Sequence, residues 1–206
     1  MQNDFQIVEM LPGHAPEVAR LHLEAIKTGF ISSLGLDFIT ALYEAVAKSK
    51  SGFGFVAVRS QTLIGFVAFA TNINALYKSV LWKKGLTFVC LLAGRVFSFR
   101  NLKQILETLF YPARTSRLNL PGSELLSVAV AAEQRRKGVA AALVKTGLAG
   151  CDARRIDKVK VLVDAGSEPA NKLYLRCGFE LAAQINNHGI KSNVYVGRTG
   201  CSHKPC

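Results

Sequence analysis

Three consecutive segments between residues 124 and 150 constrain the fold of this chain more than any other feature. Glu124 to Val130 reads as a strand, Gln134 to Ala140 is a basic loop, and a helix rich in small residues is expected from Gly138 to Gly150. A buried strand that passes through a short loop into a helix is a building unit of layered α/β domains. The sequence therefore predicts such a unit, with an unusually cationic connection.

The rest of the chain predicts further helices around a mainly antiparallel sheet of six to seven strands. Ser60-Gln61-Thr62 is expected to turn two strands into a hairpin, and 29–35 is expected to be a loop with unusually apolar residues. The predicted strands are 5–10, 53–59, 63–71, 159–164, 179–184 and 193–196, and the predicted helices are 15–26, 37–47 and 169–176. This order predicts an α/β layered domain.

Composition sets the class of protein. The chain has 206 residues, of which 50% are apolar, so it can bury one core, and we expect a single domain over 1–206 with a short tail at 198–206. Gly85 to Gly94 is the longest charge-free apolar stretch in the most hydrophobic region, at 10 residues, whereas a spanning helix needs roughly 20. The odd cysteine count, the lack of paired metal-ligand spacing and the polar start predict a reduced, cytoplasmic protein without a metal site.

One long segment, 76–117, looks like an insertion between the third and fourth strands. It holds eight Lys or Arg residues and one Glu, within a chain whose net charge is +12. Its apolar residues predict two or three amphipathic helices. Their apolar faces could pack on the core or on a second subunit, as in a homodimer, or could make weak membrane-surface contact. Nucleic acid is not expected, because no recognised binding motif is present.

The loop at 134–140 has the chemistry of a diphosphate-binding site. Gly138 allows a ligand to approach the backbone closely, and the first amides of the following helix have no intrahelical partners. Arg135, Arg136 and Lys137 add positive charge around them. From these residues alone, a glycine turn carrying solvated cations is an equally good reading.

Two motifs together resemble the GNAT superfamily of N-acetyltransferases. Arg135 to Ala140 is similar to the family's Arg/Gln-x-x-Gly-x-Gly/Ala loop, and Tyr174 to Phe179 is similar to its Tyr-x-x-x-Gly-Phe ending. The resemblance follows the element order over nearly the whole chain and implies the GNAT fold. One departure is Ser167, where the family commonly has asparagine before the helix that carries Ala170.

The resemblance implies that acetyl-CoA binds as co-substrate. Its diphosphate would lie on the loop, and its pantetheine would pair like an added strand. Asn171 resembles the polar residue that often touches the cofactor near its thioester end. The implied cofactor-binding residues are Val128, Ala129, Val130, Arg135, Arg136, Lys137, Gly138, Val139, Ala140 and Asn171.

The expected reaction is direct attack of a primary amine on the thioester. Tyr174 is the candidate acid, because a phenol stays protonated at neutral pH and can donate to the departing thiolate, although a packed aromatic is the plain alternative. Glu124 is the candidate base, matching the glutamate of histone-type members, with His188 or ordered water as alternatives. Glu124 could equally be a surface carboxylate at the end of a strand. Strand alternation predicts one shared face for 124, 126, 128 and 130.

The acceptor site implied by the resemblance lies between the loops 30–35 and 186–191. Its candidate residues are Phe30, Ser32, Ser33, Leu34 and His188. The first loop looks like that of members from bacterial surface-polysaccharide pathways, whose acceptors are nucleotide-linked amino sugars, and the net charge of +12 agrees with an anionic acceptor. Protein or peptide amines, and acyl-CoA binding without catalysis, remain alternatives. His22 is expected at the helix surface or the core edge.

Overall fold

The computed structural model describes residues 4–26, 30–80, 82, 120–187 and 189–200. The strands are β1 (Gln6–Glu9), β2 (Gly52–Arg59), β3 (Thr62–Ala70), β4 (Glu124–Val130), β5 (Lys158–Asp164), β6 (Phe179–Asn187) and β7 (Ile190–Arg198). The helices are α1 (Ala15–Ala25), α2 (Phe30–Ser33), α3 (Leu36–Lys48), α4 (Val139–Asp152) and α5 (Glu168–Arg176), with single 3-10 turns at Pro12–His14 and Ala132–Gln134. Residues 73–80 are also helical.

The seven strands form one sheet in the order β1-β2-β3-β4-β5-β7-β6. Every neighbouring pair is antiparallel except β4 and β5, which run parallel. A parallel pair needs a crossover, and α4 provides it between these two strands. The predicted α/β fold with a mainly antiparallel sheet is confirmed.

The β2–β3 hairpin closes on a two-residue turn. Ser60 and Gln61 have φ angles of 48° and 64°, and Arg59 pairs with Thr62 directly across the turn. Two consecutive left-handed residues match the right-handed twist of the flanking strands. The predicted hairpin is confirmed, although neither turn residue is glycine.

One face of the sheet is covered by α1 and α3. Val18, Ile39 and Phe66 are fully buried there. On α1 the inward residues Val18, Leu21 and His22 are three and four positions apart, which places them on one side of the helix.

The other face is covered by α4 and α5. Val139, Leu143 and Val144 of α4 are buried against it. A Cβ at Gly147 would lie 2.0 Å from Cε2 of Phe69, so only glycine lets the helix approach the sheet this closely. The helix α4, which follows the predicted cofactor loop, therefore shares one core layer with α5.

A β-bulge in β4 corrects one prediction about side-chain direction. Ala68 pairs with Ser127 and Phe69 pairs with Leu125, which leaves Leu126 as the extra residue. Alternation is interrupted there, so the expectation that positions 124, 126, 128 and 130 share a face is wrong. Glu124 and Leu126 lie on the α1/α3 side, whereas Val128 and Val130 lie on the α4/α5 side.

Two predicted loops are more regular than expected. Residues 30–33 form the short helix α2, within the segment predicted as a loop. Asn186 pairs with Lys191 and Asn187 with Ile190, so the predicted loop at 186–191 is the tip of the β6–β7 hairpin, and only 188–189 connect the strands. The β6–β7 pairing therefore includes Asn186 and Asn187, two polar residues of the predicted loop.

Only the start of the predicted insertion lies within the described residues. Leu76 and Val80 are buried in the α1/α3 core layer, and Trp82 is 91% exposed. The remainder of 76–117 and tail residues 201–206 lie outside the described part, so their predicted roles stay predictions. Across the described ranges, no helix is long and apolar enough to cross the bilayer.

Candidate active site

The parallel strands β4 and β5 pair for only two residues and then separate. Glu124 pairs with Lys160 and Leu125 with Val161, and the described register ends there. The amide of Ala131 bonds back to β3 through the Ile64 carbonyl, at 2.9 Å. Because amide directions alternate along a strand, Val128 and Val130 turn their N–H and C=O groups to the β5 side. An extended ligand could pair with them as an added strand.

The loop after β4 ends in a left-handed backbone. Arg136 and Gly138 have φ angles of 62° and 82°, and a Cβ on Gly138 would meet nothing within 4 Å. The first intrahelical bond of α4 runs from Ala142 to the Gly138 carbonyl at 3.0 Å. The amides of 139–141 precede that bond and are not used by the helix, and no side chain caps it. Free amides at a helix N-terminus are suited to an anion.

The cations beside this loop also hold its shape. Arg135 Nε donates to the Val130 carbonyl at 3.3 Å, which ties the loop to the end of β4. Gln134 Oε1 accepts from Lys137 Nζ at 3.2 Å and from Arg59 Nη1 at 3.3 Å. Residues 135–137 are exposed, so their charges face the same solvent as the free amides. Val139 is buried and Ala140 half-buried, so they offer backbone amides rather than side chains.

Tyr174 lies on α5 in the core layer that also contains Val130. Its ring is 5.6 Å from that of Phe179 and 6.3 Å from that of Tyr195, centroid to centroid. Burial raises the pKa of its phenol, so it is a neutral donor at physiological pH. Among the hydrogen bonds of the described residues, none involves its hydroxyl, which distinguishes it from Tyr195 beside it.

Glu124 is enclosed where β4 and β5 are still paired. It is 8% exposed and its Oε2 lies 3.4 Å from Lys160 Nζ, yet that oxygen makes no hydrogen bond within the described part of the chain. Burial raises the pKa of the carboxyl, and the neighbouring lysine opposes that rise. Lys160 Nζ also donates to the Pro121 carbonyl at 2.7 Å. The carboxylate is thus buried rather than at the surface.

Asn171 is half-buried and is part of a cluster of polar side chains. Its Oδ1 accepts from Asn193 Nδ2 and from the Tyr195 hydroxyl, each at 2.8 Å. Its Nδ2 donates to the carbonyls of Ser167 at 2.7 Å and Asp164 at 3.0 Å. The amide thereby holds the turn that begins α5. Its contact with a cofactor stays a prediction.

The predicted acceptor residues are placed around α2. Ser32 donates to the Ile26 carbonyl at 2.6 Å, and Leu34 is 6% exposed. Phe30 begins α2 and Ser33 ends it. His188 and the Phe30 side chain lie outside the described part. Their contacts with an acceptor stay predictions.

A buried chain of hydrogen bonds connects α2 with β4. Ser32 Oγ lies 3.2 Å from His22 Nε2, His22 Nδ1 lies 2.6 Å from the Tyr43 hydroxyl, and that hydroxyl lies 2.6 Å from Ser127 Oγ. His22 is 5% exposed, so of the two places predicted for it, the helix surface and the core edge, the structure agrees with the core edge. Burial lowers its pKa to about 4.

Two of these features were not predicted from the sequence: the Lys160–Glu124 pair and the hydrogen-bonded chain through His22. The signal for Lys160 was present, as a lone charge in the apolar run 159–163. His22 occupies the inward spacing of α1, which is also a sequence signal. Their partners Glu124, Tyr43 and Ser127 are distant in sequence, so the pairings needed the fold.

A comparison with protein families identifies the family to which this chain belongs. The model of the acetyltransferase (GNAT) family matches residues 23–179. The chain belongs to the GNAT acetyltransferase family. No curated protein sequence matches this GNAT protein significantly.

Solved structures share the fold of this GNAT protein at low sequence identity. The ribosomal-protein-S18-alanine N-acetyltransferase from Escherichia coli has a TM-score of 0.61 at 11% identity, covering 98% of each chain. Arabidopsis thaliana NAA60, solved with a bisubstrate analogue, has 0.60 at 18%, covering 94% of this chain and 97% of its own. A spermidine N-acetyltransferase SpeG chimera from Vibrio cholerae and hSSAT has 0.59 at 15%, covering 96% and 97%. Such distant likeness establishes the fold alone.

Proposed function

We propose that this GNAT protein is an acetyl-CoA-dependent N-acetyltransferase that acts on a primary amine. One arrangement carries the proposal: the open edge of β4, the free amides of 139–141 and the Tyr174 hydroxyl, which has no hydrogen bond among the described residues, all border the α4/α5 side of the sheet. Strand edge, anion site and acid are the three elements that a thioester carrier with a diphosphate requires.

The residues present fit acetyl-CoA. The diphosphate would be held by the amides of 139–141 and by the cations of 135–137, with open space at Gly138. The pantetheine arm would pair with Val128 and Val130, whose backbone groups face the gap to β5. Ala129, between them, turns its backbone groups to β3, so it would support the strand while its two neighbours pair with the cofactor.

When bound, acetyl-CoA supplies a thioester carbonyl that a neutral amine can attack. Amides near Val128 would donate to that carbonyl oxygen and polarise it, and fixed donors cost no reorganisation during the reaction. The protein's main contribution would be to position the amine, which replaces a bimolecular encounter by an oriented one.

Two protons must move. The attacking nitrogen loses one, and we assign it to Glu124, whose pKa is raised by burial towards the range of a useful base, with His188 or water as alternatives. The departing sulfur gains one, and we assign it to Tyr174, which is protonated and has its hydroxyl uncommitted within the described residues. The C–N bond forms, the C–S bond breaks, and the products are an amide and a free thiol.

The acceptor class is the finer part of the proposal. We favour a small anionic amine such as a nucleotide-linked amino sugar, because the net charge of +12 attracts anions and repels polyamines. A protein or peptide amine is the competing acceptor, and acyl-CoA binding without turnover is the competing function.

Two measurements on the purified full chain test the proposal. The first is thermal shift with acetyl-CoA, because a ligand at 100 times its dissociation constant adds about 2.7 kcal/mol to folding stability. The second is thiol release with UDP-glucosamine, an alanine-initiated peptide and spermidine. We expect a shift, and release with the sugar nucleotide.

Each outcome has a distinct reading. No thermal shift at saturating acetyl-CoA would exclude the acetyltransferase. A shift without thiol release from any of the three amines would support the binding-only alternative. Release with the peptide or with spermidine alone would keep the reaction and overturn the acceptor class.

A further inference from the structure

The hydrogen-bonded chain between α2 and β4 has a fixed direction. The Ile26 carbonyl can only accept, so Ser32 donates its single proton there, at 2.6 Å. Ser32 Oγ must then accept from His22, which places the imidazole proton on Nε2. His22 Nδ1 is left as an acceptor for Tyr43, and the Tyr43 oxygen accepts in turn from Ser127.

The protonation states agree with this direction. The low pKa of His22, about 4, keeps its ring neutral at physiological pH. Burial raises the pKa of Tyr43 and keeps the phenol protonated, so it has a proton to donate. Each of the three hydroxyls in the chain then has its one proton committed to the next member towards Ile26.

Ser127 is the member of the chain that borders the proposed reaction centre. It follows the bulge residue Leu126 and precedes Val128, in the stretch of β4 that has separated from β5. It is half-buried, whereas Tyr43 and His22 behind it are buried. Since its proton is committed to Tyr43, the remaining lone pairs of Ser127 Oγ can only accept a hydrogen bond.

Resting on the proposed function, we propose that Ser127 Oγ accepts an N–H hydrogen bond from the acceptor amine and so turns the amine lone pair towards the acyl carbon. Tyr43, His22 and Ser32 are positioning residues that fix the direction of the Ser127 proton. The chain transfers no proton in this role. It links α2, where the acceptor residues are predicted, to the strand beside the thioester.

The hydrogen-bonding environment suits an amine at this place. Glu124 lies on the same side of β4, three residues before Ser127, so an acceptor held by Ser127 approaches the proposed base from the α1/α3 side. A ligand group with N–H donors is therefore favoured over a carbonyl or an ether, because the oxygen lone pairs of those groups would face the lone pairs of Ser127 Oγ.

Ser127→Ala and Ser127→Thr test the contact in the full chain. The acceptor is whichever of UDP-glucosamine, the alanine-initiated peptide and spermidine the wild type acetylates fastest. We expect Ser127→Ala to lower kcat/KM for that amine at least tenfold while the dissociation constant of acetyl-CoA changes less than twofold. Ser127→Thr keeps the hydroxyl and should recover most of the loss.

Tyr43→Phe tests the positioning residues. It should lower kcat/KM for the amine by a smaller factor than Ser127→Ala, and the double variant should be no slower than Ser127→Ala alone, because both changes act through one hydroxyl. Independent, multiplicative losses would indicate a structural effect and overturn the proposal. Nitrogen-15 NMR of the His22 ring should show the proton on Nε2; a proton on Nδ1 in the neutral ring would overturn the proposed direction.

Failure of this inference differs from failure of the proposed function. An active wild type with an equally active Ser127→Ala variant overturns the inference alone. A Ser127→Ala variant that loses acetyl-CoA affinity instead of amine turnover also overturns it, since Ser127 would then serve the cofactor. A wild type that binds acetyl-CoA and acetylates none of the three amines overturns both the enzyme and the contact.

Discussion

At the scale of single residues, an uncommitted hydroxyl distinguishes a candidate functional tyrosine from one that only packs. Tyr174 and Tyr195 are equally buried, at 4% exposure, and their rings lie 6.3 Å apart. The Tyr195 hydroxyl donates to Asn171 at 2.8 Å, whereas that of Tyr174 has no hydrogen bond among the described residues. Among the described residues, Glu124 Oε2 is the one fully buried side-chain oxygen or nitrogen without a partner, so the Tyr174 hydroxyl is not sealed from solvent and is free to bond a ligand.

Tyr174→Phe should therefore lower turnover while leaving the fold intact. We expect a loss of at least about tenfold in kcat, equivalent to about 1.4 kcal/mol in the barrier, with acetyl-CoA affinity and Tm nearly unchanged. Tyr195→Phe is the matched control, and it should lower the free energy of unfolding by about 1 kcal/mol through its lost hydrogen bond. Equal turnover in wild type and Tyr174→Phe would leave this tyrosine a packing residue.

His22 should make the protein sensitive to acid. Its folded pKa of about 4 lies below the ordinary histidine value of 6.5, so the unfolded chain takes up this proton first as the pH falls. The free energy of unfolding should decline between about pH 6.5 and 4, by up to roughly 3 kcal/mol from this residue. Denaturant unfolding of wild type and His22→Gln across this range measures it. The advantage of the wild type should shrink towards pH 4, and parallel curves would contradict the assignment.

At the scale of elements, the bulge in β4 and the loop before α4 determine the site. The bulge turns Val128 and Val130 to the α4/α5 side just where pairing with β5 ends. The left-handed residues Arg136 and Gly138 then reverse the chain into α4, so that its first amides face outward. A strand edge and a helix N-terminus thus border one opening.

Gly138→Glu should abolish acetyl-CoA binding, because a carboxylate would occupy the space in front of the free amides. Gly178→Glu is a matched control, since both glycines have a φ of 82° and open space around a Cβ. Both variants should lose about 1–2 kcal/mol from left-handed strain. Only the first should lose the thermal shift with acetyl-CoA; loss in both, or in neither, would show that the loop is not the anion site.

At the scale of the molecule, charge determines which ligands approach. The net charge is +12, and exposed cations at 135–137 surround the proposed anion site. The attraction acts through solvent, where its range is about 10 Å at 0.1 M salt and about 3 Å at 1 M.

Acetyl-CoA binding should consequently weaken as salt is added. We expect its dissociation constant to rise about three- to tenfold between 0.05 and 0.5 M NaCl, measured by calorimetry. S-acetylpantetheine, which lacks the phosphates, is the control ligand and should show little dependence. A salt-independent constant for acetyl-CoA would mean that the basic loop does not hold the diphosphate.

Much of the fold and part of the site could be predicted from local pattern. The predicted bounds of β4 match the structure, and the predicted helices α1, α3 and α4 agree within two residues at each end. The loop at 134–140 was found because glycine and clustered cations report directly on backbone freedom and charge. The prediction that Glu124 shares a face with Val128 and Val130 was wrong, because the unpaired residue at 126 depends on how β3 and β4 align.

By itself, the sequence determined the elements, the positive field and the loop whose amides are free, since each depends on residues near one another in the chain. The tertiary structure alone decided that Lys160 would meet Glu124, that β5 would leave β4 after Leu125, and that Ser127 would be joined through Tyr43 to His22. Those relations join segments up to 84 positions apart. Their geometry follows from how the sheet and its two helical layers pack, which no local pattern encodes.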